Sequence, residues 1–417
     1  MLKFIKKYAW VSFLLFLLLL FPQSLSDQAK LNMRIIITGV GIDYIDNQYQ
    51  VTSQVVLPAN GTESGGISAH ISYLTASGNT ISECIQKVSY KLGKLAELSH
   101  MEFIMVGETM KDHNLASSLD YFIRNFKLKK SIMLLACHGT AKSSILKTQE
   151  LELGVALSLQ KIYISNESSL NGVETSYVDF ISDTYSTCGC SVLDTFVIST
   201  SQDSSSQEQG SQQNSSTPQQ STNSQQGQSL ESAKMRTKTP LILFKNGKYA
   251  GEITNEDMVL GYYFTNKKAK TGNIFLTNFS FGDIQNANIN IRVDNMNKNN
   301  NISFQDNKII HTININLNEI KIDEIAPQNS SNLTQYKQLP QSTQNQILSL
   351  ASNKIKELIN STFTYCQQLN FDIFKTANLC YQKDPTQWQN FTSLLENPND
   401  YLKNVEVVVN VTFNRIN

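Results

Sequence analysis

Five histidines, six cysteines and 35 acidic side chains are the groups of this 417-residue chain that could ligate a metal or move a proton. His70, His100, His113, His138 and His311 are scattered, and none has the HxxH or HExxH spacing that turns two imidazoles toward one ion. Cys188-Gly189-Cys190 is the one close cysteine pair, and as half of a zinc site it lacks a second pair or nearby histidines. Cys84, Cys137 and Cys366 sit on apolar faces and read as core thiols. With Cys380 the set is too sparse for a disulfide scaffold. An exported chain can still carry a disulfide, so the state of Cys188 and Cys190 stays open.

No GxSxG elbow and no phosphate-binding loop occurs, and Gly39-Val40-Gly41 lacks the third glycine of a dinucleotide fingerprint. His100 reads as a hydrogen-bonded strand-end residue, and Trp388 as a core or groove aromatic. Glu319 and Glu324 lie in or beside a strand, with no partner that would make an acid pair. No catalytic, cofactor-binding or metal-binding residue is assigned, and no cofactor is implied. A chain of this size without such a constellation reads as a binding or assembly protein rather than an enzyme.

Basic and acidic residues balance at 35 each, which argues against a nucleic-acid surface. Lys3, Lys6 and Lys7 precede an uncharged apolar run from Tyr8 to Phe21, the pattern of an export segment over residues 1–26. Ser24 and Ser26 fit a peptidase site after Ser26. Retained instead, Ala9 to Leu25 is at the lower limit of a membrane span, with Tyr8 and Trp10 at the interface.

The elements that would position any site fall into two regions. Ser201 to Lys234 is nearly devoid of apolar residues and predicts a disordered Gln/Ser-rich linker or long loop over 199–236. It divides an N-terminal region, 32–198, from a C-terminal one, 237–417. In the first, Ile35–Ile42 and Tyr49–Leu57 flank Asp46-Asn47-Gln48 as a hairpin. Thr80 and Glu83 have capping-box spacing before Ile81, Ile85, Val88 and Leu92. MEFIMVGE and SIMLLAC read as buried strands, with a helix near 114–127 between them. In the second, Asn246-Gly247 predicts a type I′ hairpin. NINIRV, KIIHTININLNEIKI and VEVVVNVTF read as strands. A helix from about Thr343 to Leu369 carries the stripe Leu348, Ala351, Ile355, Leu358, Thr362, Cys366 and Leu369. The fold class is α+β: multi-domain, with antiparallel-rich mixed sheets, packed helices and an N-terminal hydrophobic segment.

The order of these segments resembles the Ger(x)C family, the C subunits of nutrient germinant receptors in spore-forming bacteria. The likeness runs through ITGVGIDYIDNQYQVTSQVVLP, GNTISECIQKVSYKLGKLAELSHMEFIMVGE and LDYFIRNFKLKKSIMLLACHGTAKSSIL. After the linker it continues through LILFKNGKYAGEITNEDMVLGYYF, LNFDIF, YQKDPTQW and the closing valine strand. The resemblance implies three α+β domains, no enzymatic activity and a place on the outer face of the inner spore membrane. It also implies integral membrane A- and B-type subunits as partners. The sequence departs from the family at FPQSLSDQ, where the usual member has a lipobox cysteine; no cysteine precedes Cys84, so lipidation at that place is not expected. Retention of the first helix is favoured over cleavage, because it would hold the chain beside its partners. The rival readings are an extracytoplasmic ligand-binding protein and a secreted hydrolase.

Overall fold

The computed structural model describes residues 33–58, 69–125, 128–147, 172, 175–196, 199–200, 233–234, 240–281, 284–305, 307–327 and 340–413. The N-terminal apolar run with FPQSLSDQ, and residues 201–232 of the Gln/Ser-rich stretch, lie outside the described residues. Among the described helices none is long and apolar enough to cross a membrane.

The first hairpin is set by its turn. Asp46 and Asn47 take φ of 53° and 61°, the positive values that a two-residue type I′ turn requires. They join β1 (Arg34–Ile45) to β2 (Gln48–Pro58). A third strand, β3 (Ala69–Gly78), pairs along the whole of β2, from Tyr49–Gly78 to Pro58–Ala69. Ile71, Tyr73 and Thr75 favour a strand, and pairing with β2 carries the Ala, Ser and Gly positions with them. Helix α1 (Ile81–Leu92) starts where expected: the Thr80 side chain accepts from the Glu83 amide, while Glu83 accepts from the Asn79 amide. Ile81, Cys84, Ile85 and Val88 are buried, and Lys87 and Lys91 of α1 donate to the Ser77 and Thr75 carbonyls of β3 at 2.7 and 2.6 Å.

Parallel strands follow: β4 (Leu95–Glu97) and β5 (Phe103–Val106) beside β1, β6 (Met133–Cys137) beside β5, and β7 (Cys190–Phe196) beside β6. The helix expected near 114–127 is broken. Helix α2 (Leu115–Ser118) and α3 (Asp120–Arg124) meet at Leu119, and the Ser118 hydroxyl bonds back to the Asn114 carbonyl, a local bond that competes with the helical ladder. Leu115, Leu119 and Phe122 are buried, but Ile123 faces solvent. Helix α4 (Ala141–Lys147) covers the opposite face of the sheet, where Ile145 packs with Phe103, Met105 and Leu135. Gly39 and Gly41 serve this packing, since a Cβ on either would collide with the Phe103 ring or with Ile145.

β8 (Ser199–Thr200) and β9 (Ala233–Lys234) pair antiparallel at the two ends of the Gln/Ser-rich stretch. Beyond it, β10 (Leu241–Lys245) and β11 (Lys248–Ile253) form the hairpin read from Asn246-Gly247, whose φ values are 52° and 76°. This hairpin extends the first sheet, because β10 lies antiparallel to β7, from Leu241–Asp194 to Lys245–Cys190. The boundary at 199–236 therefore does not separate two sheets: the stretch connects two neighbouring strands of one. The strand order is β11-β10-β7-β6-β5-β1-β2-β3, with β4 also on β1.

Helix α6 (Glu256–Thr265) leads to a second sheet of β12 (Gly272–Phe281), β13 (Ile284–Gln305), β14 (Lys308–Pro327) and β15 (Val405–Phe413). β13 and β14 form one long hairpin, so the Asn-rich 295–305, poor in strand formers, is strand because β14 pairs with it. On β15, Val405 and Val409 are buried and Glu406, Asn410 and Thr412 are exposed, the alternation of a sheet with one face in the core. Helix α7 (Gln341–Gln368) lays its stripe against this sheet, with Ala351, Ile355 and Cys366 fully buried; Leu369 is 38 % exposed and leaves the stripe. Helices α8 (Thr376–Lys383) and α9 (Pro385–Ser393) close the same core, where Trp388 stacks on Phe391 and meets Tyr401 edge-on. That core reaches across to Cys190, Val192, Leu241 and Leu243 of the first sheet and to Cys188 just before β7.

Candidate functional site

A cleft of about 750 Å³ lies along the seam where the two sheets' helices meet. One wall comes from α5 (Tyr177–Thr184), which starts with a full capping box between Ser176 and Asp179. Asp179 and Asp183 are four residues apart and share one side of that helix. Lys268, just beyond α6, reaches Asp179 at 2.7 Å, and Lys375, just before α8, reaches Asp183 at 2.6 Å. Lys375 holds φ at 56°, so the backbone enters α8 through a left-handed residue as its side chain crosses the seam. Burial drives the Asp183 carboxyl upward against the pull of Lys375. Burial raises Asp179 too, but its bonds to Lys268 and Ser176 outweigh it and hold the carboxyl below the usual range.

Asparagine side chains stand among the apolar residues Ile313, Ile373, Phe374 and Leu379 that also line the cleft. Asn378 Oδ1 accepts from the Cys188 amide at 2.9 Å, and Asn266 Nδ2 donates to the Tyr262 hydroxyl at 3.0 Å. Asn300 Oδ1 is buried without a hydrogen-bond partner among the described residues. Tyr185 and Tyr381 are exposed along the cleft. Such an arrangement can hold a polar guest by hydrogen bonds and by exchange of its ion pairs.

Behind the cleft runs a buried polar chain. Asp372 accepts from the Thr376 and Ala377 amides, each at 2.8 Å, and from the Tyr401 hydroxyl. The Thr376 hydroxyl meets His311 Nδ1 at 3.0 Å. Burial pushes His311 down to about 4, so its ring is neutral, and its Nε2 has no partner among the described residues.

The other histidines are spread over the molecule. His100 is exposed before β5, His113 packs its ring on Tyr44 with centroids 3.8 Å apart, and His138 approaches Glu252 at 3.5 Å. His70 lies in β3. Glu319 and Glu324 are exposed on β14, and Cys84, Cys137, Cys188, Cys190, Cys366 and Cys380 are buried free thiols. Among the described residues no three His, Cys, Asp or Glu side chains gather as a metal site requires. The structure thus joins His311 to a network and leaves the others apart. Asp183, Lys375, Asp372 and Asn378 were not singled out in the sequence. Their partners lie up to 192 residues away, and no local pattern marks them.

Comparison with protein-family models matches residues 27–198 to a spore germination protein N-terminal domain. It matches residues 240–417 to the spore germination B3/GerAC-like C-terminal domain. The chain belongs to the Ger(x)C family of spore germination proteins. Within the family it is similar to spore germination protein B3 of Bacillus subtilis (strain 168), 29% identical over 136 residues, which are 32% of this chain and 36% of that protein. It is also similar to spore germination protein KC of the same strain, 27% identical over 128 residues, 29% of this chain and 31% of that one. These matches span about a third of the length of the Ger(x)C relatives concerned. The fold is that of the GerBC protein crystal structure, with a TM-score of 0.51 at 13% identity over 91% of this chain and 96% of that one. The mixed, multi-domain α and β architecture expected from the sequence is therefore a Ger(x)C fold.

Proposed function

We propose that this chain is a non-enzymatic subunit of a spore germinant receptor. It sits at the extracytoplasmic face of the membrane and acts in nutrient-triggered germination by assembling with integral membrane A- and B-type subunits. The observation that carries this reading is the family match across both halves of the chain, 27–198 and 240–417. The names of its relatives, spore germination proteins B3 and KC, supply the process. The test is deletion of the coding region in the spore-former that carries it. Spores should lose the optical-density fall that follows a nutrient, and the full chain should restore it. A tagged chain should bring both membrane subunits down from spore membranes. Normal nutrient germination without the chain would overturn the reading.

The seam cleft favours a second reading, extracytoplasmic ligand binding. Pockets of this size that place a few polar groups around a concave surface are the usual form of small-molecule sites. Titration calorimetry of the full chain against a panel of polar nutrients separates the two. Saturable binding that Lys375→Met abolishes would support the second, and assembly without binding supports the first.

A further inference from the structure

The geometry points to Cys188 and Cys190 as an oxidisable dithiol, a modification site that closes to a disulfide by exchange with a small-molecule disulfide. The two thiols flank one peptide turn. The Cys190 amide lies 3.4 Å from Cys188 Sγ, and Cys190 Sγ lies 3.3 Å from the Cys188 carbonyl oxygen. Between them Gly189 takes φ of 63°. A left-handed residue curls the chain and keeps the flanking Cα atoms within the roughly 4.4–6.8 Å that a disulfide spans. The turn is held from both sides. The Asn246 amide donates to the Gly189 carbonyl at 2.7 Å, and the Cys188 amide donates to Asn378 of the opposite half.

The two cysteines differ in surroundings and acidity, which gives the exchange an order. Cys188 is 6% exposed and Cys190 2%. The seam cleft, lined by Ser186, Thr187 and Asn378, adjoins Cys188, and the Ser186 hydroxyl sits 3.5 Å from its sulfur. The Cys190 thiol beside it holds Cys188 below the usual thiol range and is itself pushed up by Cys188. Burial instead pushes Cys137, Cys366 and Cys380 up to about 12, which suppresses their thiolates. In the first step the Cys188 thiolate attacks one sulfur of the incoming disulfide, forms a mixed disulfide and releases one thiol. The Cys190 sulfur, losing its proton to solvent, then attacks Cys188 and releases the second thiol. Two protein thiols are oxidised, and one small disulfide is reduced to two thiols.

The test exposes the full chain in detergent to excess oxidised glutathione under native conditions. Free thiols are then alkylated after unfolding, and the peptides are mapped by mass. The expected product has Cys188 and Cys190 joined and the other four cysteines alkylated. Cys190→Ser should stop at a stable glutathione adduct on Cys188, and Cys188→Ser should give no adduct on Cys190. Recovery of both thiols in the native wild type, at a glutathione disulfide excess that oxidises the unfolded chain, would overturn the assignment. So would an adduct on Cys190 in Cys188→Ser.

Discussion

The Tyr401 hydroxyl donates to the Asp372 carboxylate at 2.8 Å, and both residues are buried where α8 begins. Asp372 also caps the amides of Thr376 and Ala377, so one carboxylate ties the end of α7, the start of α8 and the approach to β15 together. Asp372→Ala strands two amides and a phenol and is expected to cost about 3 kcal/mol or more, whereas Tyr401→Phe removes one donor and costs about 1 kcal/mol. Burial raises Asp372, so ionising it opposes folding as pH rises, and the Tyr401 hydroxyl eases that ionisation. The Tyr401→Phe penalty should therefore grow with pH. Denaturant midpoints measured below and above the carboxylate's titration check the sign, and a penalty that shrinks with pH refutes it.

His311 gives a pH dependence of the opposite kind. Its folded value is depressed from 6.5 to about 4 by burial, so the unfolded chain binds the proton more readily. Stability from the neutral ring is present above about 6.5 and is lost as pH falls toward about 4, to a total of about 3 kcal/mol. Wild type should lose stability over that window faster than His311→Gln. Parallel curves for the two would show that His311 does not titrate in this way.

Gly261 marks the place where α6 and α7 touch. A Cβ there would run into the Leu358 carbonyl and the Thr362 hydroxyl, which itself bonds the Met258 carbonyl at 2.8 Å. Backbone on the opposing helix cannot rotate away, so Gly261→Ala should destabilise by about 1–3 kcal/mol. An unchanged melting temperature would mean that the helices can separate freely.

Ile355 is fully buried at the centre of the α7 stripe. Ile355→Ala should cost ~2–5 kcal/mol, and Ile355→Asp more, since it adds an unpaired charge to the same site. Soluble, wild-type-like Ile355→Asp would contradict the packing of α7 on the second sheet.

β7 and β10 pair directly on either side of the Gln/Ser-rich stretch. Replacing residues 201–232 by a short turn should leave the melting temperature unchanged or slightly higher, because a shorter loop costs less entropy to close. A drop of many degrees would give the stretch a role in the core.

Several elements were legible in the sequence because their cause is local. Asn246-Gly247 and Asp46-Asn47 supply the positive φ their turns need. Thr80 carries its own capping oxygen to the start of α1. The α7 stripe and the β15 alternation state which face must leave water. Tertiary structure decided what those faces met. Nothing near LILFKNGKYAGEI says that it extends the first sheet, since its partner β7 lies across the Gln/Ser-rich stretch. Asp43 looks like a residue near a turn, yet it is buried and accepts the Ala141 and Lys142 amides 98 and 99 positions on. The same holds for the seam: Asp183 and Lys375 are 192 residues apart and meet only once both halves have folded. Turn chemistry and periodicity are properties of a few consecutive residues, whereas an ion pair or a strand partner is a property of the closed chain.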